Sequence, residues 1–317
     1  MDVAMLEFRG KEHDDMETFR NEVEIMRLIG NHPHLAKFYC PTQLRNGHYA
    51  LVMEYAPEGS LDNLLQKAQQ SSKAVSDEVL LQVGKQVCDG MMQLSVYNVV
   101  HGDLACRNIL VFSFDYYDRK LIRVKISDFG LSLRLTAAAP ASLSRESRYG
   151  ELTGGPLRWM APEVMTRREF SEKSDIWSYG VTLWELWTNC SVVPYASVTE
   201  DEELRRKIIL GHLLEKPECC NPRFYEIMQA CWRPDPSERP SFTQVKEQVE
   251  DAFLMLHSKA PADTNKGGEC QICLSDQVDY AILPCGHKCL CSECRSVVGT
   301  QCPLCRRDIR EIVRIFD

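Results

Sequence analysis

Apolar residues recur at helical spacing between Asp14 and Leu28, where Met16, Phe19, Val23 and Met26 share one face. The run stops at Gly30, which predicts a helix closed by a C-terminal glycine. Asn46-Gly47 stands between two apolar runs, the signal of a tight hairpin. Helical periodicity returns from Asp77 to Val96 and from Asp175 to Trp187, and the aromatic stretch Phe112 to Tyr117 reads as part of a β-hairpin. Between His257 and Gly268 the sequence HSKAPADTNKGG is small and polar with no apolar period, the pattern of a flexible linker. The chain thus divides into a mixed helix-and-strand unit over residues 1–256, a linker at 257–268, and a cysteine-rich unit at 269–317 that ends in the apolar tail IREIVRIFD. There is no internal repeat.

A length of 317 residues allows a full hydrophobic core and a second, smaller unit. The apolar fraction of 44% and charged fraction of 26% are those of a globular protein. A net charge of -8 argues against nucleic acid as the main partner. The N-terminal residues show no apolar run behind a basic start, and the most apolar helical stretch, Ile176 to Trp187, is broken by Glu185 and too short to span a bilayer. These features lead us to expect a cytoplasmic protein. Of the 15 cysteines, eight lie between Cys270 and Cys305, and in a reducing compartment such clustering favours metal thiolates over disulfides.

The cysteine-rich unit carries Cys270-x2-Cys273, Cys285-x-His287, Cys291-x2-Cys294 and Cys302-x2-Cys305. Each Cys-x2-Cys pair forms a knuckle that turns two thiolates toward one tetrahedral zinc. A unit this small buries too little apolar surface to fold unaided, and structural zinc supplies on the order of 10–16 kcal/mol. Four ligand pairs with histidine fourth resemble the RING family; a PHD-type finger would place its histidine one ligand later. The resemblance implies two interleaved sites, one of Cys270, Cys273, Cys291 and Cys294, the other of Cys285, His287, Cys302 and Cys305, with Cys289 left over. It also implies a docking surface for a ubiquitin-conjugating enzyme formed by Ile272, Pro303 and Arg306, with Arg306 holding enzyme and ubiquitin in a reactive pose, a catalysis by positioning. The tail resembles those of inhibitor-of-apoptosis ligases, whose RINGs form homodimers, with Phe316 as aromatic anchor. Two plainer readings stand beside this one. The finger is purely structural, or it binds nucleic acid through Arg295, Arg306, Arg307, Arg310 and Arg314.

In the first unit, His101-Gly102-Asp103-Leu104-Ala105-Cys106-Arg107-Asn108, Asp128-Phe129-Gly130 and Ala161-Pro162-Glu163 follow in the order of a protein kinase, with Asp175 and Arg239 further on. The resemblance implies a bilobal α+β fold with an incomplete N-terminal lobe and a mostly helical C-terminal lobe. It places Asp103 as catalytic base with Arg107 beside it, Asn108 and Asp128 at magnesium, Asp175 bracing the catalytic loop and Arg239 paired with Glu163. Met53, Glu54 and Ala56 resemble the gatekeeper and hinge that meet the adenine of ATP, and Glu22 resembles the helix glutamate of the nucleotide site. LACRN and PLRWMAPE are similar to tyrosine kinases, and Tyr149 stands where an activation-segment phosphotyrosine occurs.

The sequence also departs from the pattern. It begins after the glycine-rich loop, and Ala4, Met5 and Leu6, which match the position of the phosphate-binding lysine, supply no ammonium. Arg9 and Lys11 lie too near the helix to replace it, and Gly102 stands for the arginine that would bind an activation-segment phosphate. Three readings follow for the whole: a RING-type ubiquitin ligase whose kinase-like domain recruits, senses or phosphorylates protein substrates; a tyrosine-type kinase whose RING controls its own turnover; and a non-catalytic scaffold dimerised by its RING. The cofactors implied are two zinc ions, with ATP and magnesium if the kinase site works; the partners are a conjugating enzyme, ubiquitin and protein substrates.

Overall fold

The computed structural model describes residues 2–8, 13–135, 155–258, 270–273, 278–283, 287–303, 309 and 311–315. Its contacts divide the chain into two compact units, Met1–Ala252 and Phe253–Asp317.

The first unit opens with strand β1 (Val3–Phe8), helix α1 (His13–Ile29), and strands β2 (Phe38–Gln43) and β3 (Tyr49–Glu54). The strands form an antiparallel sheet in the order β1-β3-β2, with Ala4 opposite Met53 and Leu6 opposite Leu51. The helix expected from the period of Met16, Phe19, Val23 and Met26 is present. Phe19, Val23 and Met26 are buried, Glu22 is buried among them, and Gly30 leaves the helix at φ +63°. At Asn46-Gly47 the chain turns with the Leu44 amide donating to the His48 carbonyl at 2.8 Å and Gly47 at φ +86°.

Helices α2 (Leu61–Gln70) and α3 (Asp77–Val96) follow, then short strands β4 (Val99–Val100), β5 (Ile109–Ser113), β6 (Arg123–Ile126) and β7 (Leu133–Arg134). The aromatic stretch lies in the antiparallel β5–β6 hairpin and its connection, where the Phe114 and Tyr116 rings meet edge to face at 5.3 Å. Helices α4 (Pro162–Arg167), α5 (Glu172–Trp187), α6 (Asp201–Ile209), α7 (Pro222–Cys231) and α8 (Phe242–Ser258) follow, the last running past Ala252 where the first unit ends. The period beginning at Asp175 belongs to α5, which starts earlier because Ser171 and Ser174 form a capping box. From Ser174 to Trp187 every residue of α5 is buried. A helix buried all round, with Asp175 and Glu185 included, is a central pillar of the unit. Among the described residues no helix is long and apolar enough to cross a membrane. Gly180 admits the close approach of α7: a Cβ there would stand 2.6 Å from the Trp232 indole nitrogen. Helix α8 runs on to Ser258, two residues into the stretch read as linker.

The second unit is a three-stranded antiparallel sheet of β8 (Tyr280–Leu283), β9 (His287–Leu290) and β10 (Glu311–Arg314), in the order β10-β8-β9. Its core contains Tyr280, Ile282, Cys289 and Leu290 together with Cys270, Cys294 and Cys302. Strand β10 comes from the apolar tail, and its Ile312 and Val313 lie opposite Ile282 and Ala281.

Candidate functional site

The loop between β4 and β5 is held from below by α5. The Asp175 carboxylate accepts the His101 amide at 2.7 Å and the Gly102 amide at 3.0 Å. Burial pushes this carboxyl up to about 7, while those two amides pull it down. Gly102 sits at φ +80°, a conformation that favours glycine over the arginine of the family pattern. The buried His101 ring nitrogen Nε2 lies 3.2 Å from the Ser127 carbonyl, and burial lowers its pKa.

Asp103 is thereby presented at the loop's turn. Arg107 pairs with its Oδ1, and Asn108 Nδ2 donates to its Oδ2 at 2.8 Å and to its backbone carbonyl at 2.7 Å. Burial raises the Asp103 pKa, opposed by Arg107, His101 and Asn108. The Arg107 guanidinium stacks over Trp159, 4.4 Å from the ring centre. A carboxylate so held, with arginine and asparagine on it, can accept a proton from a hydroxyl brought within reach. Asp128 takes a left-handed backbone conformation at φ +63°, and the Gly130 amide donates back to its Oδ1 at 3.3 Å.

Helix α1 brings Glu22 to this cluster, where Oε1 accepts the Phe129 amide at 3.3 Å. Burial, then the Asp128 charge, raises Glu22 to about 7. Among the described residues no ion pair involves Glu22. The strand positions that match the family lysine hold Ala4, Met5 and Leu6, none of them cationic. The described part of the kinase cluster therefore contains the amide and the acid that would hold magnesium, Asn108 and Asp128, and no lysine at that strand position to offset phosphate charge. Magnesium bound by Asn108 and Asp128 would supply that neutralisation for the phosphates of ATP.

At the hinge, Met53 is buried, and the Glu54 carboxylate accepts the Lys125 ammonium and the Lys37 amide, each at 2.6 Å. Its side chain is thus committed to the fold, and its amide donates to the Lys37 carbonyl at 3.0 Å. Sequence reasoning missed Lys125, which lies 71 residues from Glu54 and carries no local signal. Further down, Arg239 forms a forked pair with Glu163 at 2.7 and 2.8 Å, fully buried over Trp177. Tyr149, Arg9 and Lys11 lie outside the described residues.

In the second unit, Cys270, Cys273, Cys291 and Cys294 converge, with their four sulfurs all within 4.8 Å of one another. Cys273 and Cys291 sulfurs are 3.8 Å apart, and a tetrahedron with zinc–sulfur bonds of about 2.3 Å has an edge of about 3.8 Å. Desolvation raises the Cys270 thiol, but the amides of Cys273, Ile272 and Cys291 outweigh it and bring it to about 6. Burial and the neighbouring cysteines push Cys294 to about 12. Four such thiols ionise together only around a cation, and zinc fits both the geometry and the donor set. His287 Nδ1 lies 3.5 Å from Cys302 Sγ, close to the edge of about 3.5 Å expected for one nitrogen and one sulfur on zinc. Cys285 and Cys305, expected to complete that set, lie outside the described residues, as do Arg306 and Phe316. Ile272 and Pro303 are exposed. Cys289 is buried in the same core and is not among the four converging cysteines.

Comparison with known proteins accords with both units. The family model of protein tyrosine and serine/threonine kinases matches residues 1–249, and that of the C3HC4-type RING zinc finger matches residues 266–312. The chain is 32% identical over 258 residues to fibroblast growth factor receptor homolog 1 of Drosophila melanogaster, covering 76% of this chain and 33% of that protein. It is 34% identical over 258 residues to angiopoietin-1 receptor of Danio rerio, covering 77% and 21%. It is 35% identical over 240 residues to tyrosine-protein kinase ABL2 of Mus musculus, covering 75% and 18%. The chain thus spans a third or less of the length of these relatives, and the likeness lies in the kinase region. On the motif order, the Asp103 cluster and these matches, the chain belongs to the protein tyrosine and serine/threonine kinase family and carries a C3HC4 RING finger behind its kinase domain.

Proposed function

We propose that the chain is a RING-type ubiquitin ligase whose kinase domain recruits, senses or phosphorylates protein substrates. The observation that carries this reading is the exposed Ile272, inside a knuckle whose four cysteine sulfurs already lie at zinc spacing. An apolar side chain left in solvent on a rigid metal knuckle is suited to docking a conjugating enzyme, with Pro303 beside the second ligand set. Arg306 then orients the charged ubiquitin, and Cys285 and Cys305 complete a second zinc with His287 and Cys302. Ubiquitin discharge from a charged conjugating enzyme tests the reading. Intact chain should discharge it, and Ile272→Ala should abolish discharge while zinc content stays the same. No discharge by the intact chain across a panel of conjugating enzymes would move the function to a scaffold dimerised by its RING tail.

A second reading, phosphoryl transfer to tyrosine, is favoured by the joint placement of Asp103, Asn108, Asp128 and Glu22. In it Asp103 accepts the hydroxyl proton, Asn108 and Asp128 hold magnesium, the hinge backbone binds the adenine of ATP, and the RING limits the kinase's lifetime. ATP with magnesium should raise the melting temperature of the intact chain and not that of Asp128→Ala. An equal response from both proteins would remove this site from nucleotide binding.

A further inference from the structure

We infer that Cys106 and Cys190 are an oxidation site, closing under a hydroperoxide into a reversible disulfide that ties the catalytic loop to the end of α5. Cys106 lies in the catalytic loop, between Ala105 and Arg107, and is fully buried. Cys190 lies three residues beyond α5, where Asn189 at φ +49° and Cys190 at φ +50° hook the chain back. Its amide donates to the Glu185 carbonyl at 2.8 Å, and its carbonyl accepts Gln66 Nε2 at 3.1 Å. These bonds hold the Cys190 thiol in place: the two sulfurs and a Glu185 carboxylate oxygen all lie within 4.8 Å of one another.

The surroundings favour oxidation over a metal. Two thiolates and a carboxylate on a divalent cation would leave net negative charge in a dry site. Glu185 Oε2 is also already engaged, accepting the Cys106 amide at 3.0 Å and the Trp159 indole N–H at 2.9 Å. A disulfide carries no charge. It also costs little in lost contacts, because the Cys106 thiol otherwise reaches only the Thr182 carbonyl at 3.8 Å, apart from Cys190 and Glu185.

The chemistry divides between the two cysteines by access. Cys190, at 9% exposure against 0% for Cys106, is the one a small peroxide reaches. Its sulfur attacks the O–O bond and gives up its thiol proton to the departing hydroxide, forming a sulfenic acid and one water. The Cys106 sulfur then displaces hydroxide from that sulfenic acid, forming the S–S bond as the S–O bond breaks. Glu185, within hydrogen-bonding reach of Cys106, takes the thiol proton and passes it to the leaving hydroxide. Overall two thiols lose two electrons and two protons, and hydrogen peroxide becomes two waters. Nothing in this sequence requires that the kinase site be active.

The test uses the full zinc-loaded chain treated with hydrogen peroxide, quenched, alkylated under denaturing conditions and mapped by peptide mass spectrometry. The expected product is a peptide pair joined through Cys106 and Cys190, restored to free thiols by dithiothreitol and missing in Cys190→Ser. The exposed Cys40 and Cys219 report oxidant exposure in the same sample. Recovery of Cys106 and Cys190 as free thiols while Cys40 or Cys219 is oxidised would overturn the assignment, as would linkage of either to a different cysteine. Glu185→Gln should slow linkage by about 10-fold or more, and an unchanged rate would remove Glu185 from the step. The wild-type map reads the bond directly, whether or not either variant folds.

Discussion

The two units of this chain meet the same problem, holding polar chemistry in a fixed geometry, with opposite means. In the kinase domain the catalytic loop hangs from α5, a helix buried on all sides, whose Asp175 and Glu185 carboxylates accept its backbone amides, and the Arg239–Glu163 fork is buried further down. The RING has a core of only a few side chains, and its cysteines are as much core as ligand. A large core can absorb buried carboxylates such as Asp175 and Glu22 because apolar burial elsewhere offsets their desolvation. A small one cannot, and hands the task to metal–thiolate bonds. One unit should therefore respond to pH and to loss of a single charge, the other to chelation.

The largest effect expected is from zinc removal. Chelation should unfold the RING unit, a loss on the order of 10–16 kcal/mol, and leave the kinase domain's hydrogen-exchange protection intact. Simultaneous loss of both would show that the boundary proposed at 257–268 does not separate independent folding units. Next comes Glu163→Ala, which leaves the buried Arg239 guanidinium uncompensated and should cost roughly 3–5 kcal/mol in urea unfolding. A cost under about 1 kcal/mol would mean that the fork contributes little to the scaffold.

Beside Asp175 and Glu185, Glu22 carries part of the pH dependence. Its carboxyl is raised from an ordinary 4.5 to about 7 by burial and by Asp128. The folded state therefore binds the proton more tightly than the unfolded state does. Stability is fullest below pH 4.5 for this group and declines as pH rises toward 7. Glu22→Gln should stabilise the kinase domain at pH 8, by up to about 3 kcal/mol, and flatten the slope across that window. An unchanged slope would assign the pH response to Asp175 and Glu185, which are also raised to about 7. The smallest effect is local. Ser76 caps α3 by accepting the Val79 amide at 3.3 Å, and Ser76→Ala should cost about 1 kcal/mol by thermal unfolding.

Much of this was legible beforehand because it is local. Periodicity marked α1 and α3, Asn46-Gly47 marked the turn, and Cys-x2-Cys spacing marked the knuckle, since each depends on residues a few positions apart. The motif order from His101 to Arg239 identified the kinase fold, and the ligand pattern identified the RING. Tertiary structure decided the rest. Only packing explains why α5 is buried all round, why Lys125 holds the Glu54 carboxylate, why Glu22 faces Asp128, and why Cys106 meets Cys190 from 84 positions away. Those relations join residues far apart in the chain, and their energies come from desolvation and contact. Neither exists until the core has closed.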